Sequence, residues 1–311
     1  MDEGFEIWEL CLHDTERQFA WRIQYIQEHN GPDIIGRVEL AYFNRYNPSK
    51  ENRVFQQAFN QDHFKITKMP FEFRAGKNVI SEELSQGRLS TFEETVRWKL
   101  DWFHDPEAGI SPWPYKSWYR WKYPPLKIVV PQPRLRINGK ISVGALDFEL
   151  NEVSGHQTHL WGTRYPKEIL RLHCTAFEET DYAVLNAITM TTRLGLVPLP
   201  AFTAIQLELY GEMFFFNTTS SLLRNASRFE ENRWLLAAEN KTKRLQIEVQ
   251  FDENAMAPFG PNTQFTGIAS VQVWQSEKSG GEWRQLKKLT CRDAADLEIH
   301  RTSTGNSLSP E

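Results

Sequence analysis

Almost nothing in this sequence suits cross-linking or metal binding. Only three cysteines, Cys11, Cys174 and Cys291, occur in 311 residues. They are far apart, odd in number and without C-x-x-C spacing, so neither a disulfide framework nor a zinc site is implied. Cys174 sits among apolar neighbours, where a buried structural thiol is expected. The eight histidines show no H-x-E-x-H or H-E-x-x-H spacing. His156 and His159 are three apart on a strand pattern, which sends them to opposite faces. No metal is therefore expected. Glycine-rich phosphate loops and the G-x-S-x-G elbow are also missing. At the level of motifs this excludes nucleotide-dependent and serine-hydrolase classes, and no cofactor is expected.

A surplus of one charge is absent too. Lys plus Arg number 36 against 40 Asp plus Glu, a net charge of -4. No basic run could hold a nucleic-acid backbone or an anionic membrane, so neither is an expected partner. No apolar stretch reaches the length of an integral membrane segment. The longest, Leu194 to Leu207, is broken by Pro198 and Pro200. The start, MDEGFEIWEL, is acidic and lacks the basic-then-apolar pattern of a secretory leader, so cytoplasmic location is the expectation.

What the chain does have is rings. Hydrophobic content is 40%, but aromatics reach 13%, with 11 tryptophans. Large rings can fill a core that has fewer aliphatics. The length exceeds one ordinary core and suits two domains. Strand patterns recur at Phe5 to Leu12, Phe19 to Gln27, Arg37 to Asn44 and Arg244 to Phe251. Between Val96 and Phe103, Val96, Trp98, Leu100 and Trp102 alternate with Arg97, Lys99 and Asp101. Turn residues punctuate these runs and no convincing helical window interrupts them; Leu222 to Trp234 reads as a short helix or irregular chain. The fold class is all-β, with the rhythm of a sandwich or barrel.

His104 to Pro133 breaks the rhythm. It holds Pro106, Pro112, Pro114, Pro124, Pro125, Pro131 and Pro133 together with Trp113, Trp118 and Trp121. Proline at this density excludes a central strand for most of the stretch, and the rings argue against a solvated linker. It reads as an ordered crossover that packs its rings between two barrels, or as a lid over a pocket mouth. The expected division is 1–133 for a first barrel plus crossover, 134–299 for a second barrel, and 300–311 for a frayed tail.

Ile141 to Phe177 carries the chemistry. It reads as three strands, with a bulge or turn at Gly144 and a second strand opening at Gly155. In the second strand Gln157, His159, Trp161 and Thr163 share a face. In the third, Ile169, Arg171, His173, Thr175 and Phe177 share a face, and Leu170, Leu172, Cys174 and Ala176 share the other. If the leucine face packs outward on another layer, the mixed face looks into a barrel, as in a small-molecule pocket. The competing arrangement has the leucine face as core and the His/Arg face outward. Trp161 beside His159 favours the pocket, because a large ring is usually buried.

The run Gly155-His156-Gln157-Thr158-His159-Leu160-Trp161-Gly162, followed by His173-Cys174-Thr175-Ala176-Phe177, resembles a G-x-x-x-H-x-W-G … H-C-x-x-F pattern. That pattern belongs to a lipocalin-like superfamily of carotenoid 1,2-hydratases (hydroxyneurosporene synthases), AttH-like proteins, tocopherol cyclases and some fungal Diels–Alder cyclases. Trp8 and Trp21 to Tyr25 resemble its N-terminal end. The resemblance runs from about Phe5 to about Val273 and is dense only at Trp8–Tyr25 and Lys140–Phe177. It implies two consecutive lipocalin-like (calycin) β-barrels joined by the Pro/Trp-rich crossover, with an apolar ligand at or between them. Relatives carry aromatics at the positions of Ile169 and Arg171, and this departure points to an acidic or oxygenated ligand.

The candidate catalytic residues are His159, His173 and Arg171, since imidazole exchanges protons near neutral pH. The third and second strands are expected to pair, which would set the two rings side by side. The candidate ligand-binding residues are Trp161, Phe177, Arg22, Tyr25 and Glu208, with Asp181 as a further carboxylate. Such a set could protonate an alkene and face the resulting cation with a ring. The expected function is binding of an unsaturated isoprenoid or polyketide-like molecule, with cofactor-free cyclisation, isomerisation or hydration. A carrier of a hydrophobic acid, and a structural protein with filled barrels, remain alternatives.

Overall fold

Period-two alternation decides the architecture. The computed structural model describes residues 3–121, 124–191, 193–194, 197–259 and 262–302. The first eleven strands are β1 (Glu3–Asp14), β2 (Phe19–Asn30), β3 (Asp33–Asn44), β4 (Arg53–Asn60), β5 (Phe64–Lys68), β6 (Phe71–Ala75), β7 (Asn78–Ser81), β8 (Leu84–Ser90), β9 (Thr95–Trp102), β10 (Leu126–Val143) and β11 (Leu146–Gly162). They form one antiparallel sheet in the order β4-β3-β2-β1-β11-β10-β9-β8-β7-β6-β5. On β9 the alternation is as expected: Val96, Trp98, Leu100 and Trp102 are buried, and the residues between them are exposed.

The later strands are β12 (Glu168–Cys174), β13 (Ala183–Thr191), β14 (Arg193–Leu194), β15 (Val197–Pro198), β16 (Phe202–Leu209), β17 (Glu212–Phe216), β18 (Ala226–Glu230), β19 (Arg233–Glu239), β20 (Lys243–Gln250), β21 (Ala257–Pro258), β22 (Thr263–Ser279) and β23 (Glu282–Arg301). The second sheet runs β17-β16-β13-β12-β23-β22-β20-β19-β18, with β21 beside β22, and β14 pairs only with β15. One of the two large sheets nearly closes into a barrel and the other forms a half-barrel, so the fold is all-β with two consecutive barrel sheets. A helix, α1, covers Pro48–Glu51, and α2 covers Thr219–Arg224 between β17 and β18. Leu222 to Trp234 is thus helix end, strand and turn.

Several local expectations need correction. Leu146 to Gly162 is one long strand and Gly155 lies in its middle. A Cβ there would meet Ile137 Cδ1 at 2.4 Å and the Cys11 carbonyl at 2.5 Å, so the glycine permits close approach and does not start a strand. Pro131 and Pro133 stand inside β10, at register shifts between Val129, Gln132 and Leu135. Bulges free them from the ladder donors that proline lacks. The chain changes sheet after Gly162, not at Arg134, because β10 and β11 complete the first sheet against β9 and β1. His300 and Arg301 belong to β23, where they pair with Ile169 and Glu168. The rest of the expected tail, from residue 303, lies outside the described residues.

Each sheet keeps its own core. Trp8, Leu10, Leu12, Trp21, Ile23, Tyr25 and Trp98 belong to the first. Leu170, Leu172, Cys174, Leu207, Trp234 and Leu297 belong to the second. A third cluster joins the sheets: Ile7, Ile26, Leu126 and Leu160 meet Ile169, Ile188 and Met190, and Trp113 of the crossover is buried among them. The crossover therefore packs between the sheets. Among the described residues no helix is long and apolar enough to cross a membrane.

Gly139 marks a point that only glycine can occupy. Its φ is +127°, and a Cβ would lie 2.1 Å from the Lys99 carbonyl oxygen across β9. Gly139→Ala should lower stability by about 1–3 kcal/mol through backbone strain. Urea denaturation checks it: the midpoint should fall with an unchanged slope, and an unmoved midpoint would contradict the reading.

Candidate functional site

Strand β1 separates two polar regions. Its alternation sends Glu6, Trp8, Leu10 and Leu12 toward the first core, and Ile7, Glu9, Cys11 and His13 toward the second sheet. Across the β1–β11 ladder, Glu6 pairs with Trp161 and Trp8 with His159, while Glu9 pairs with Thr158 and Cys11 with His156. Thus His159 and Trp161 share the side of Trp8, and His156 takes the other.

On the Trp8 side lies a cavity of about 380 Å³. Trp8, Ile66, Phe71 and Ile80 supply apolar wall, and Glu6 and His159 supply polar wall. The His159 ring is stacked on Trp8 (centroids 5.1 Å apart, planes at 9°) and on Trp161 (4.8 Å, 29°). Its Nε2 donates to Glu6 Oε1 at 2.9 Å. Trp8 in turn stacks on Phe71 at 5.3 Å. The stacking and the carboxylate together hold one imidazole edge at the cavity, an arrangement suited to proton exchange. Lys68, Glu82 and His104 also line this space.

On the other side, charge is buried between the sheets. Arg22 Nε donates to Glu9 Oε2 at 2.6 Å, and its Nη2 reaches Glu298. Arg171 Nη2 lies 2.8 Å from Glu298 Oε2 and 3.1 Å from Glu9 Oε1. Gln24 adds a third donor to Glu9 at 2.9 Å. The Arg22 guanidinium also lies over Phe265, 4.0 Å from the ring centroid. Burial alone would raise the Glu298 carboxyl; Arg171 and Arg22 override it and hold it at about 2. Glu9 is lowered in the same balance, and both guanidinium groups are held more firmly charged.

Beside this quartet stands a histidine cluster. His13 Nε2 is 3.2 Å from Asp296 Oδ1, and His156 Nδ1 is 3.4 Å from Asp296 Oδ2. His156 and His173 stack with centroids 3.8 Å apart. His173 Nε2 donates to the Pro133 carbonyl at 2.8 Å. Burial lowers the His173 imidazole to about 4, and it lowers His156 well below the ordinary range, helped by the positive charge His173 and His13 can carry. Among the described residues one trio, Glu9, Cys11 and His156, has ligand atoms within 4.8 Å of one another. Glu9 is already claimed by two guanidinium groups, and burial pushes the Cys11 thiol up, so the trio suits a metal poorly.

The structure separates the expected set. His159 lines the barrel cavity, and Trp161 stacks on His159 and on Tyr119 of the crossover without lining that space. His173 and Arg171 do not join them, because β12 pairs with β13 and β23 and not with β11. Their strand turns its leucine face into the second core, so the mixed face lies between the sheets and not in a barrel. Arg22 is there as well. Tyr25, on the opposite face of β2, is sealed in the first core, where its hydroxyl donates to the Val79 carbonyl at 2.7 Å. Phe177 belongs to the second core. Glu208 is half-buried on the side of β16 away from Leu207. Asp181 is an exposed partner of Arg136. Sequence reasoning missed Glu6, Glu9, His13, His156, Asp296 and Glu298. The alternation of β1 contained the signal for the first three.

No protein-family model matches the chain, and no curated protein matches it. Solved structures do match. Kievitone hydratase from Nectria haematococca aligns with a TM-score of 0.57 at 9% identity, over 96% of this chain and 89% of that one. An AttH-like protein from Nitrosomonas europaea aligns at 0.55 and 11% identity, over 96% and 91%. CghA aligns at 0.53 and 8% identity, over 98% and 90%. The likeness is one of fold. The shared fold is the two-barrel one that the Gly155–Gly162 resemblance implies.

The buried histidines make stability depend on pH. An unfolded imidazole protonates near 6.5, whereas His173 resists protonation down to about 4. Between those values the unfolded chain binds the extra proton, so stability falls as pH falls. His173 alone accounts for up to about 3 kcal/mol, and His156 adds in the same direction. Urea midpoints measured from about pH 7 down to 5 should decline steadily; a flat profile would show the imidazoles to be solvated.

Proposed function

We propose that the chain binds an unsaturated apolar small molecule, isoprenoid or polyketide-like, in the cavity beside His159, and promotes its hydration, isomerisation or cyclisation without a cofactor. The observation that carries this is the His159 imidazole, clamped between two indoles, tied to Glu6 and set at the wall of an apolar cavity of about 380 Å³. That volume is in the range of small-molecule sites.

The chemistry follows from the contacts. Protonated His159 passes its proton to an alkene carbon, and Glu6 balances the imidazolium before the transfer. The cation that forms on the neighbouring carbon faces the Trp8 and Phe71 rings, whose negative π-faces stabilise it. Addition of water to the cation, with loss of one of the water's protons back to His159, completes hydration. Return of a neighbouring proton to His159 completes isomerisation; attack by a second double bond moves the cation to a new carbon, and loss of a proton from beside that carbon to His159 completes cyclisation. One structural neighbour is named a hydratase, which agrees with a chemistry of this class. In this reading His173 and Arg171 hold the sheets together and do not touch substrate. Arg171 is engaged by Glu9 and Glu298, which removes it as the anchor a carrier of hydrophobic acids would use.

Incubation with a panel of polyenes and prenylated phenols, followed by mass spectrometry, should yield hydrated or isomeric products. His159→Ala should cut turnover by about 10²–10⁴-fold while ligand binding, read from tryptophan fluorescence, persists. Glu6→Gln should lower turnover less and shift its pH optimum. Wild-type turnover by His159→Ala would remove the histidine from the reaction.

A further inference from the structure

We propose that the molecule held in the His159 cavity carries an uncharged oxygen, a carbonyl or hydroxyl, and that Gln157 is the residue that selects it. This rests on the reading of that cavity as a ligand site and adds a requirement on what enters it. Gln157 lies on β11 two residues before His159, so the two share a face. The ladder fixes the direction of that face: Gln157 pairs with Leu10 and His159 with Trp8, and both partners belong to the first core. Gln157 lines the same cavity as His159.

Gln157 is 8% exposed, yet among the described residues nothing hydrogen-bonds its side chain. Its amide atoms are not among the polar atoms sealed away from all space; they stay open to the cavity. The neighbours explain why no protein group serves them. Gln132 stands opposite Gln157 in the β10–β11 ladder. Its Oε1 accepts from the Asp105 N–H at 3.2 Å, and its Nε2 donates to the Asp105 carbonyl at 2.6 Å and to His104 Nδ1 at 3.0 Å. That amide is thus fully engaged elsewhere. His159 and Glu6 are taken up with each other. Ile66, Phe71 and Ile80 offer nothing polar. Buried amides nearly always find a partner, so an open one on a largely apolar wall assigns the missing partner to the ligand.

The amide N–H donates and the amide oxygen accepts. A carbonyl takes the N–H, and a hydroxyl takes either. A carboxylate would meet no balancing charge on the amide and would face Glu6 and Glu82 on the same wall, where Lys68 is exposed. Residues two apart on one face of a strand are about 7 Å apart. An oxygen at Gln157 and a double bond at His159 are therefore separated by roughly five bonds of an extended chain. Gln157 so decides which double bond meets the imidazole.

The test compares geranylacetone, whose ketone oxygen is roughly that far from a double bond, with its deoxy analogue 2,6-dimethylundeca-2,6-diene. Affinities are read from tryptophan fluorescence in the wild type and in Gln157→Leu, which keeps the bulk and removes the amide. The ketone-to-diene affinity ratio should fall at least about ten-fold in the variant. It should persist in His159→Ala, so loss of turnover and loss of selectivity are separate results. The infrared carbonyl stretch of bound, ¹³C-labelled geranylacetone should lie below its position in alkane, and should return to that position in Gln157→Leu. The infrared measurement on the wild type stands without any variant. A ratio that Gln157→Leu leaves unchanged, or a wild-type carbonyl band at the alkane position, would overturn the proposal and leave the amide to cavity water, whatever the turnover. Binding of neither compound would overturn it together with the reading of the cavity.

Discussion

Two arginines and two glutamates buried between the sheets constrain everything around them. Glu9 and Arg22 come from the first sheet, Arg171 and Glu298 from the second, and each guanidinium touches both carboxylates. Taking four charges out of water is costly, and mutual attraction offsets that cost only in a closed, well-aligned set. Loss of one member leaves an unpaired buried charge, which typically costs about 3–5 kcal/mol. The quartet is therefore weak evidence of extra stability and strong evidence of fixed relative placement. Hydrophobic contact through Ile7, Ile26, Ile169 and Ile188 supplies adhesion without direction; the ion pairs supply direction.

From that placement the division of labour on β1 follows. One strand presents Glu6 and Trp8 to the barrel cavity and Ile7 and Glu9 to the sheet interface. The barrel cavity is walled by the His159 imidazole and by the Trp8 and Phe71 rings. The histidine cluster around Asp296 is buried between the sheets. Burial depresses the basicity of His156 and His173, so the integrity of this cluster depends on pH.

Much of the fold was legible residue by residue. Val96 to Trp102 reads as an inward-outward strand from its pattern alone, and so it is. The pairing of His159 with Trp161 as one side of one strand was equally readable, as was the opposite direction of His156. Pro131 and Pro133 were misread because proline excludes a ladder bond but not a bulge, and bulges depend on the neighbouring strand. For His173 the expectation that consecutive strands pair fails, because adjacency in sequence is not adjacency in the sheet. The strand between Leu146 and Gly162 closes on β1, more than 130 residues away, and β12 turns to β23 instead.

Composition and alternation by themselves determined an all-β chain and sorted each strand into two faces; the expectation of two consecutive barrels came from the resemblance at Gly155–Gly162. Those properties are local: the strand period is two whatever packs against it. Only the tertiary structure decided what each face meets. Both faces of β1, β2 and β12 are buried, one in a barrel core and one under the other sheet. A mixed polar face looks the same in sequence whether it lines a hollow or meets its complement. Glu9 and Glu298 are 289 positions apart and become one site only when the sheets close on each other.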